Sequence, residues 1–299
     1  MGSLDGRVII VTGAGRGIGR DHAIFLAEQG ASVVVNDLGG GGDGSGRSGS
    51  PADEVVEEIA GRNEQACVNT DDVATAAGAD ALVRTAVERF GRLDALINNA
   101  GILRDGVIVN LSEDDWDRVV SVNLRGHFLP LQAAARYWRE RSKAGESVDA
   151  AIVNTSSESG VFGNAGQANY AAAKAAVASL AEVASKELSR YGVRTNTILP
   201  RARTRLTEAM VPPPRTDRFD KWDPANVSPF VGYLVRPGCK INGQVFLVGG
   251  GLVQRVAPWS LDPDWKLTSE GRWNPEELAE AVDLAGLPDN TGRITGNVR

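Results

Sequence analysis

The chain has 299 residues, 42% of them hydrophobic, with a formal net charge of −6 and two cysteines. This length and apolar content suffice for one large core, and an acidic balance without any run of basic residues argues against a nucleic-acid partner. Cys67 and Cys239 lack disulfide or metal spacing, no basic and apolar leader precedes the first strand, and no apolar run approaches membrane-spanning length. The expectation is therefore a cytoplasmic protein with no membrane partner.

Residues 7–12 are a short β-branched apolar run that reads as a buried strand and leads directly into Gly13-Ala-Gly-Arg-Gly-Ile-Gly19. A helix is predicted over 20–29, closed by Gly30. Strand, glycine turn and helix N-terminus together form a phosphate site, because glycines let the backbone approach a pyrophosphate and free N–H groups favour its charge. Gly13, Arg16, Gly17, Ile18 and Gly19 are its candidate residues. A second buried strand over 31–36 ends in Asp37, about twenty residues after the loop. A carboxylate there accepts from both ribose hydroxyls and repels a 2′-phosphate. The expected cofactor is NAD rather than NADP, with Arg16 the nearby basic residue that softens the choice.

The glycine-rich stretch over 38–50 reads as a mobile insertion rather than a phosphate loop. Further strands are predicted at 66–69, 95–98, 150–155, 195–200 and 244–248, with helices near 79–90, 113–124, 131–143 and 170–191. This alternation gives a single α/β domain. Between Arg201 and Lys221 stand six basic residues and three acidic ones, a local balance of +3. The charge suits a phosphate-bearing ligand, with Arg203, Arg215 and Arg218 as candidates. It equally suits a loop kept soluble by scattered charge. Pro212, Pro213 and Pro214 stiffen this loop and interrupt a helix begun over 204–210. Beyond Gly251 lie Trp259, Trp265 and Trp273, half of the six tryptophans, and a helix over 275–284. So aromatic a tail is expected to dock on the substrate loop or on a neighbouring subunit.

Tyr170 and Lys174 carry the chemistry. A phenol is a poor base at neutral pH, with an ordinary pKa of about 10, and an ammonium one helical turn away favours the phenolate. The four-residue spacing puts both side chains on one helix face, and Ala171, Ala172 and Ala173 between them keep the helix intact. Ser157 offers a hydroxyl donor for a substrate oxygen. His22 and His127 have no partner pattern for metal or acid–base work, so no metal is expected and both histidines read as structural.

Thr12-Gly-Ala-Gly-Arg-Gly-Ile-Gly19, Asn98-Asn-Ala-Gly101, Asn123, Ser157 and Tyr170-x-x-x-Lys174 stand in the order and spacing of the short-chain dehydrogenase/reductase family, which the chain resembles over residues 5–251. A finer resemblance is carried by Asn36-Asp-Leu-Gly-Gly40 with its insertion, the run Ala52-Asp-Glu-Val-Val-Glu-Glu-Ile59, Asn98-Asn-Ala-Gly-Ile-Leu-Arg-Asp105 and Gly163-Asn-Ala-Gly-Gln-Ala-Asn-Tyr170. It is to the (3R)-hydroxyacyl-CoA dehydrogenase unit of the type 2 peroxisomal multifunctional enzymes and their stand-alone bacterial relatives.

The resemblance implies a doubly wound Rossmann fold with a seven-stranded parallel sheet over 1–251, a substrate loop over about 201–230, a C-terminal extension over 252–299, and a homodimer or homotetramer. It implies that Asp72 and Val73 receive the adenine, with Asp71 as the alternative to Asp72. Asn99, Ala100 and Gly101 flank the cofactor, the asparagine acting as a brace or as a ligand. Tyr170 and Lys174 meet the nicotinamide ribose, Thr204 the carboxamide, and Asn123 holds a water that links Lys174 to solvent. The thirteen-residue interval to tyrosine selects Ser157 over Ser156. The implied activity is oxidation of a secondary alcohol, with a (3R)-3-hydroxyacyl-CoA as the leading substrate and a hydroxysteroid as the runner-up. Arg201, where most of the family has glycine after the proline, puts the nicotinamide end in question and leaves a non-catalytic NAD-binding protein as a further alternative.

Overall fold

The computed structural model of the chain describes residues 2–48, 50–62, 64–208, 211–257, 261 and 265–286. Trp259 and the end of the helix expected over 204–210 lie outside them. The chain runs β1 (Val8–Thr12), α1 (Gly17–Glu28), β2 (Ser32–Asn36), α2 (Ser50–Ala60), β3 (Ala66–Asn69), α3 (Ala76–Phe90), β4 (Ala95–Asn98), α4 (Glu113–Val120), α5 (Gly126–Lys143), β5 (Ala150–Thr155), α6 (Glu158–Phe162), α7 (Ala168–Leu188), β6 (Val193–Pro200), α8 (Ser228–Val235), β7 (Val245–Gly249), β8 (Leu252–Val256) and α9 (Pro275–Ala285).

The strands form one sheet in the order β3-β2-β1-β4-β5-β6-β7-β8. All neighbours from β3 to β7 pair in parallel, and β8 returns antiparallel to β7. The seven parallel strands are those expected, and the antiparallel eighth is added from residues read as the start of the extension. Gly250 and Gly251, at φ +56° and +82°, reverse the chain so that the mostly exposed Leu252–Val256 can pair with the β7 edge. The described residues divide into two compact units between Val256 and Ala257, so β8 belongs to the first. Within the second, Asn274 caps α9 by accepting from the Glu277 N–H at 2.9 Å, and the Trp265 indole donates to the Gly286 carbonyl at 2.6 Å.

Parallel strands covered on both faces must be apolar on both, which explains the unbroken runs of β1, β2 and β4. Ile9, Val11, Val33, Val35 and Ile97 face a core shared with α1, α2 and α8. Val8, Ile10, Val34 and Leu96 face the opposite core with α3 and α5, where the fully buried Trp138 donates to the Leu93 carbonyl at 2.7 Å. No described helix is long and apolar enough to cross a membrane.

Strand order reverses on either side of β1, with β2 on one flank and β4 on the other. A crevice opens at the carboxyl ends of the strands at such a point. The helices expected over 113–124 and 131–143 are one continuous run, joined by a π-helical turn at Ser121–Arg125. Pro130 lies inside α5 and forfeits one backbone hydrogen bond without ending the helix. The widened turn carries Asn123, in keeping with the tendency of such turns to mark functional sites.

Candidate active site

The crevice is a cavity of about 850 Å³, lined by every candidate cofactor and catalytic residue except Asn123, whereas Arg203, Arg215 and Arg218 are not among its lining residues. At the glycine turn, α1 begins at Gly17 behind an extended Arg16 that supplies no side-chain cap, so its first N–H groups stay open to an anion. The turn is too tight for other residues. A Cβ on Gly13 would stand 2.7 Å from Ala100 Cα, and one on Gly19 would stand 2.1 Å from the Gly13 carbonyl oxygen. Asp37 accepts from the Gly15 and Gly39 N–H groups at 2.8 and 2.6 Å, which fixes its carboxylate at the wall of the cavity. These features fit a nicotinamide dinucleotide, with phosphates at the open helix end and a carboxylate for sugar hydroxyls.

Asp71, Asp72 and Val73 all line the cavity. The Asp71 carboxylate accepts from Asn69 at 2.7 Å, whereas that of Asp72 accepts from the Ala74 N–H at 2.9 Å and meets Arg47 at 3.4 Å. Asn99 acts as a brace. Its amide donates to the Thr12 and Gly13 carbonyls at 3.1 and 3.2 Å, and the N–H groups of Asn99 and Ala100 both donate to the Thr12 hydroxyl.

The glycine-rich insertion read as mobile is instead pinned to the body of the domain and lines the cavity. Leu103 N–H, Arg104 Nε and Arg118 donate to the carbonyls of Gly42, Asp43 and Gly44 at 2.9, 2.8 and 3.3 Å. Glycine composition gave no sign of these long-range partners, because they come from β4–α4 residues far along the chain.

The proton centre assembles where β5, α6 and α7 meet. Ser157 is the N-cap of α6, accepting from the Ser159 N–H at 3.2 Å, and its hydroxyl also bonds the Tyr170 phenol. Tyr170 lies in the first turn of α7, with Lys174 one turn on and its Nζ 5.8 Å from the phenol ring centroid. Lys174 is 2% exposed and donates to the Thr155 carbonyl at 2.7 Å. Burial holds its pKa down at about 7.

Sequence reasoning expects this ammonium to lower the phenol, and in the ligand-free protein the balance runs the other way. Burial pushes Tyr170 up to about 12, the Ser157 hydroxyl opposes this, and the Asp105 charge adds to it. Desolvation of the anion outweighs a partner that is itself largely desolvated. Asn123 donates to the Ile102 and Val119 carbonyls at 2.9 and 3.1 Å, and its buried Oδ1 has no partner among the described residues. A Cβ on Gly101 would lie 2.6 Å from that Oδ1 and 3.6 Å from Lys174 Nζ, so glycine lets the two groups converge.

Two residues that sequence reasoning missed, Gln167 and Asn169, hold the entry to α7. The Gln167 amide donates to Asp105 at 2.8 Å and accepts from Ser159 and Asn164 at 2.8 and 2.9 Å. Asn169 donates to the Arg104 and Asp115 carbonyls and accepts from the Tyr170 N–H. The signal available was the polar string directly before Tyr170. His22 and His127 are fully buried, and His22 Nδ1 lies 2.8 Å from the Ser228 hydroxyl.

The loop after β6 uses much of its charge internally. Arg203 grips Asp220 at 2.7 and 3.2 Å, donates to the Pro212 carbonyl at 2.8 Å, and its N–H bonds the Trp222 carbonyl at 2.6 Å. It is a strut across the loop rather than a free cation. Arg215 lies 3.6 Å from Asp217, and Arg201 is drawn onto Glu158. Arg205 and Arg218 make no ion pair among the described residues, and Arg205 lines the cavity beside the apolar Leu103, Leu206, Val211 and Trp222. Thr204 also lines it, with its methyl group 3.5 Å from where a Cβ on Gly17 would stand.

A short chain dehydrogenase family model matches residues 7–212. The hydroxyacyl-CoA dehydrogenase ChsB1 of Mycobacterium tuberculosis is 42% identical over 286 residues, covering 93% of this chain and 88% of that one. The mouse peroxisomal multifunctional enzyme type 2 is 42% identical over 253 residues, 85% of this chain but 33% of the longer enzyme. The crystal structure of a short chain dehydrogenase from Mycobacterium avium superposes with a TM-score of 0.85 at 46% identity, covering 95% of this chain and 96% of that one.

The buried pair gives the ligand-free protein a distinctive pH dependence. Lys174 falls from 10.5 to about 7 on folding, so between those values the unfolded chain binds more protons and stability rises with pH. Tyr170 rises from 10.0 to about 12, so above 10.0 its contribution is lost and stability falls. Denaturant titrations across pH should therefore rise from neutrality toward pH 10, and Lys174→Met should flatten that rise. An equal slope in the variant would contradict the burial of the charge.

Proposed function

The chain belongs to the short-chain dehydrogenase family and is an oxidoreductase of that family; on that premise we propose that it oxidises a secondary alcohol to a ketone with NAD, its substrate being a (3R)-3-hydroxyacyl-CoA. The observation that carries this reading is the meeting of Ser157, Tyr170 and Lys174 in the cavity that the glycine turn and Asp37 also line.

Bound there, NAD supplies the hydride acceptor. Gly13 to Gly19 would hold its phosphates, Asp37 its adenosine ribose, Asp72 and Val73 the adenine, and Thr204 the carboxamide. Ser157 donates to the substrate oxygen and orients it. Tyr170, as phenolate, takes the hydroxyl proton, and Lys174 as ammonium favours that phenolate. Asn123, beside Lys174 across Gly101, continues the proton path. The high phenol pKa of the ligand-free cavity keeps Tyr170 protonated, so its ionisation is coupled to occupancy of the site.

The relative named as a hydroxyacyl-CoA dehydrogenase supports the thioester, as do Arg205 and Arg218, two cations of the loop without an ion pair among the described residues. The apolar wall of Leu206, Val211 and Trp222 supports a hydroxysteroid as the second reading. Tyr170→Phe should lower kcat by about 10²-fold or more while NAD affinity measured by calorimetry stays near wild type. Retained turnover would sink the mechanism. Arg205→Ala with Arg218→Ala should raise KM for an acyl-CoA about tenfold and leave a free hydroxysteroid unaffected. Equal effects on the two substrates would count against coenzyme A recognition.

A further inference from the structure

Arg201 and Glu158 form a two-armed ion pair inside the cleft, with Nε 2.7 Å from Glu158 Oε2 and Nη2 2.6 Å from Oε1. Both side chains line the cavity and are only 20% and 34% exposed. Each partner is set in rigid surroundings. The Arg201 N–H donates to the Val248 carbonyl at 2.8 Å, and a Cβ on Gly249 would come within 2.4 Å of the Arg201 carbonyl oxygen, so the β6 end is packed tightly on β7. Glu158 is the first residue of α6 and follows Ser157, whose hydroxyl accepts from the Ser159 N–H and whose carbonyl accepts from the Gly160 N–H at 3.0 Å.

We propose that the Arg201–Glu158 pair is a positioning clamp for Ser157, tying the loop that carries the serine to the fixed end of β6 and keeping the Glu158 charge away from the proton centre. The proposal rests on Ser157 orienting the substrate oxygen as described above. A planar guanidinium bonded through two nitrogens fixes both the distance and the orientation of a carboxylate, which a single point charge cannot do. Held this way, Glu158 can move Ser157 only by moving β6. Released, it would be an unpaired carboxylate one residue from Ser157, free to accept the serine O–H and to oppose a phenolate at Tyr170 through like charge. The same pairing explains how a guanidinium is accommodated at this position of the cleft.

The test is a set of variants read by kinetics and by crystallography. Arg201→Ala should lower kcat about ten- to a hundredfold, with NAD affinity unchanged, and should move the ionisation that governs kcat to higher pH. Adding Glu158→Gln should reverse the pH shift but leave kcat low. Exchanging the charges, Glu158→Arg with Arg201→Glu, should recover part of the rate.

In a Ser157→Ala background Arg201→Ala should cost less than in the wild type, because only the like-charge effect of Glu158 on Tyr170 remains once the serine is gone. A full additional loss there would overturn the proposal, as would Arg201→Ala kinetics matching wild type in rate and pH profile. Should Arg201→Ala not fold, Arg201→Lys replaces it and should show the same loss, since lysine cannot bridge both oxygens; Arg201→Lys equal to wild type would overturn the clamp. A crystal structure of the variant decides independently of any substrate. The Ser157 segment should be displaced relative to β6, and an unmoved Ser157 would refute the clamp even if the proposed reaction is wrong.

Discussion

A buried ammonium organises this molecule. Lys174 is almost wholly removed from water and donates to the Thr155 carbonyl at the end of β5, so burial rather than a counter-charge sets its state. Such a group is costly in a folded chain unless its surroundings are held to tight tolerances. Those tolerances appear as glycines. Gly101 lets Asn123 and Lys174 converge, and at Gly160 a Cβ would stand 2.6 Å from the Ala175 N–H, so α6 lies directly against the α7 backbone beside the lysine. The end of β5, α6 at Gly160 and Asn123 of the π-helical turn all converge on this one side chain.

The cleft is equally an exercise in removing charge from where it would interfere. Of the arginines after β6, Arg201 and Arg203 are each committed to a carboxylate, on Glu158 and Asp220, and so become parts of the frame. Arg47, Arg104 and Arg118 do the same for the insertion, through Asp72 and through backbone carbonyls. Among the groups that line the cavity are Ser157, Tyr170 and Lys174 at the reacting end, Asp37 and Arg16 at the glycine turn, Asp71 beyond β3, and Arg205 on the loop. A wall of exposed charge in the same place would attract anions but orient none of them.

Much of the architecture was legible in the sequence because it is local. β1, the glycine turn and β2 announce themselves within thirty-odd residues through continuous apolar runs and the spacing to Asp37. The tyrosine–lysine spacing needs only one helix, and the structure places both residues in the cavity. The features that escaped depend on partners distant in the chain. β8 is held by backbone pairing to β7 and has no apolar period to betray it, its residues being mostly exposed. The insertion is glycine-rich and yet pinned from residues 103–118. The direction of the Tyr170 shift depends on burial, which a spacing argument leaves out, so the ammonium's effect was weighed without the desolvation that exceeds it. The role of Arg201 turned on Glu158, forty-three residues earlier.

The most direct test is a spectrophotometric titration of the Tyr170 phenol, taken as the difference between wild type and Tyr170→Phe, in ligand-free and NAD-saturated protein. The account predicts a transition near 12 without ligand that moves toward neutrality when the site is occupied. A Tyr170 transition that stays in place on saturation would contradict the coupling of occupancy to proton transfer, and with it the role assigned to the tyrosine and the buried lysine.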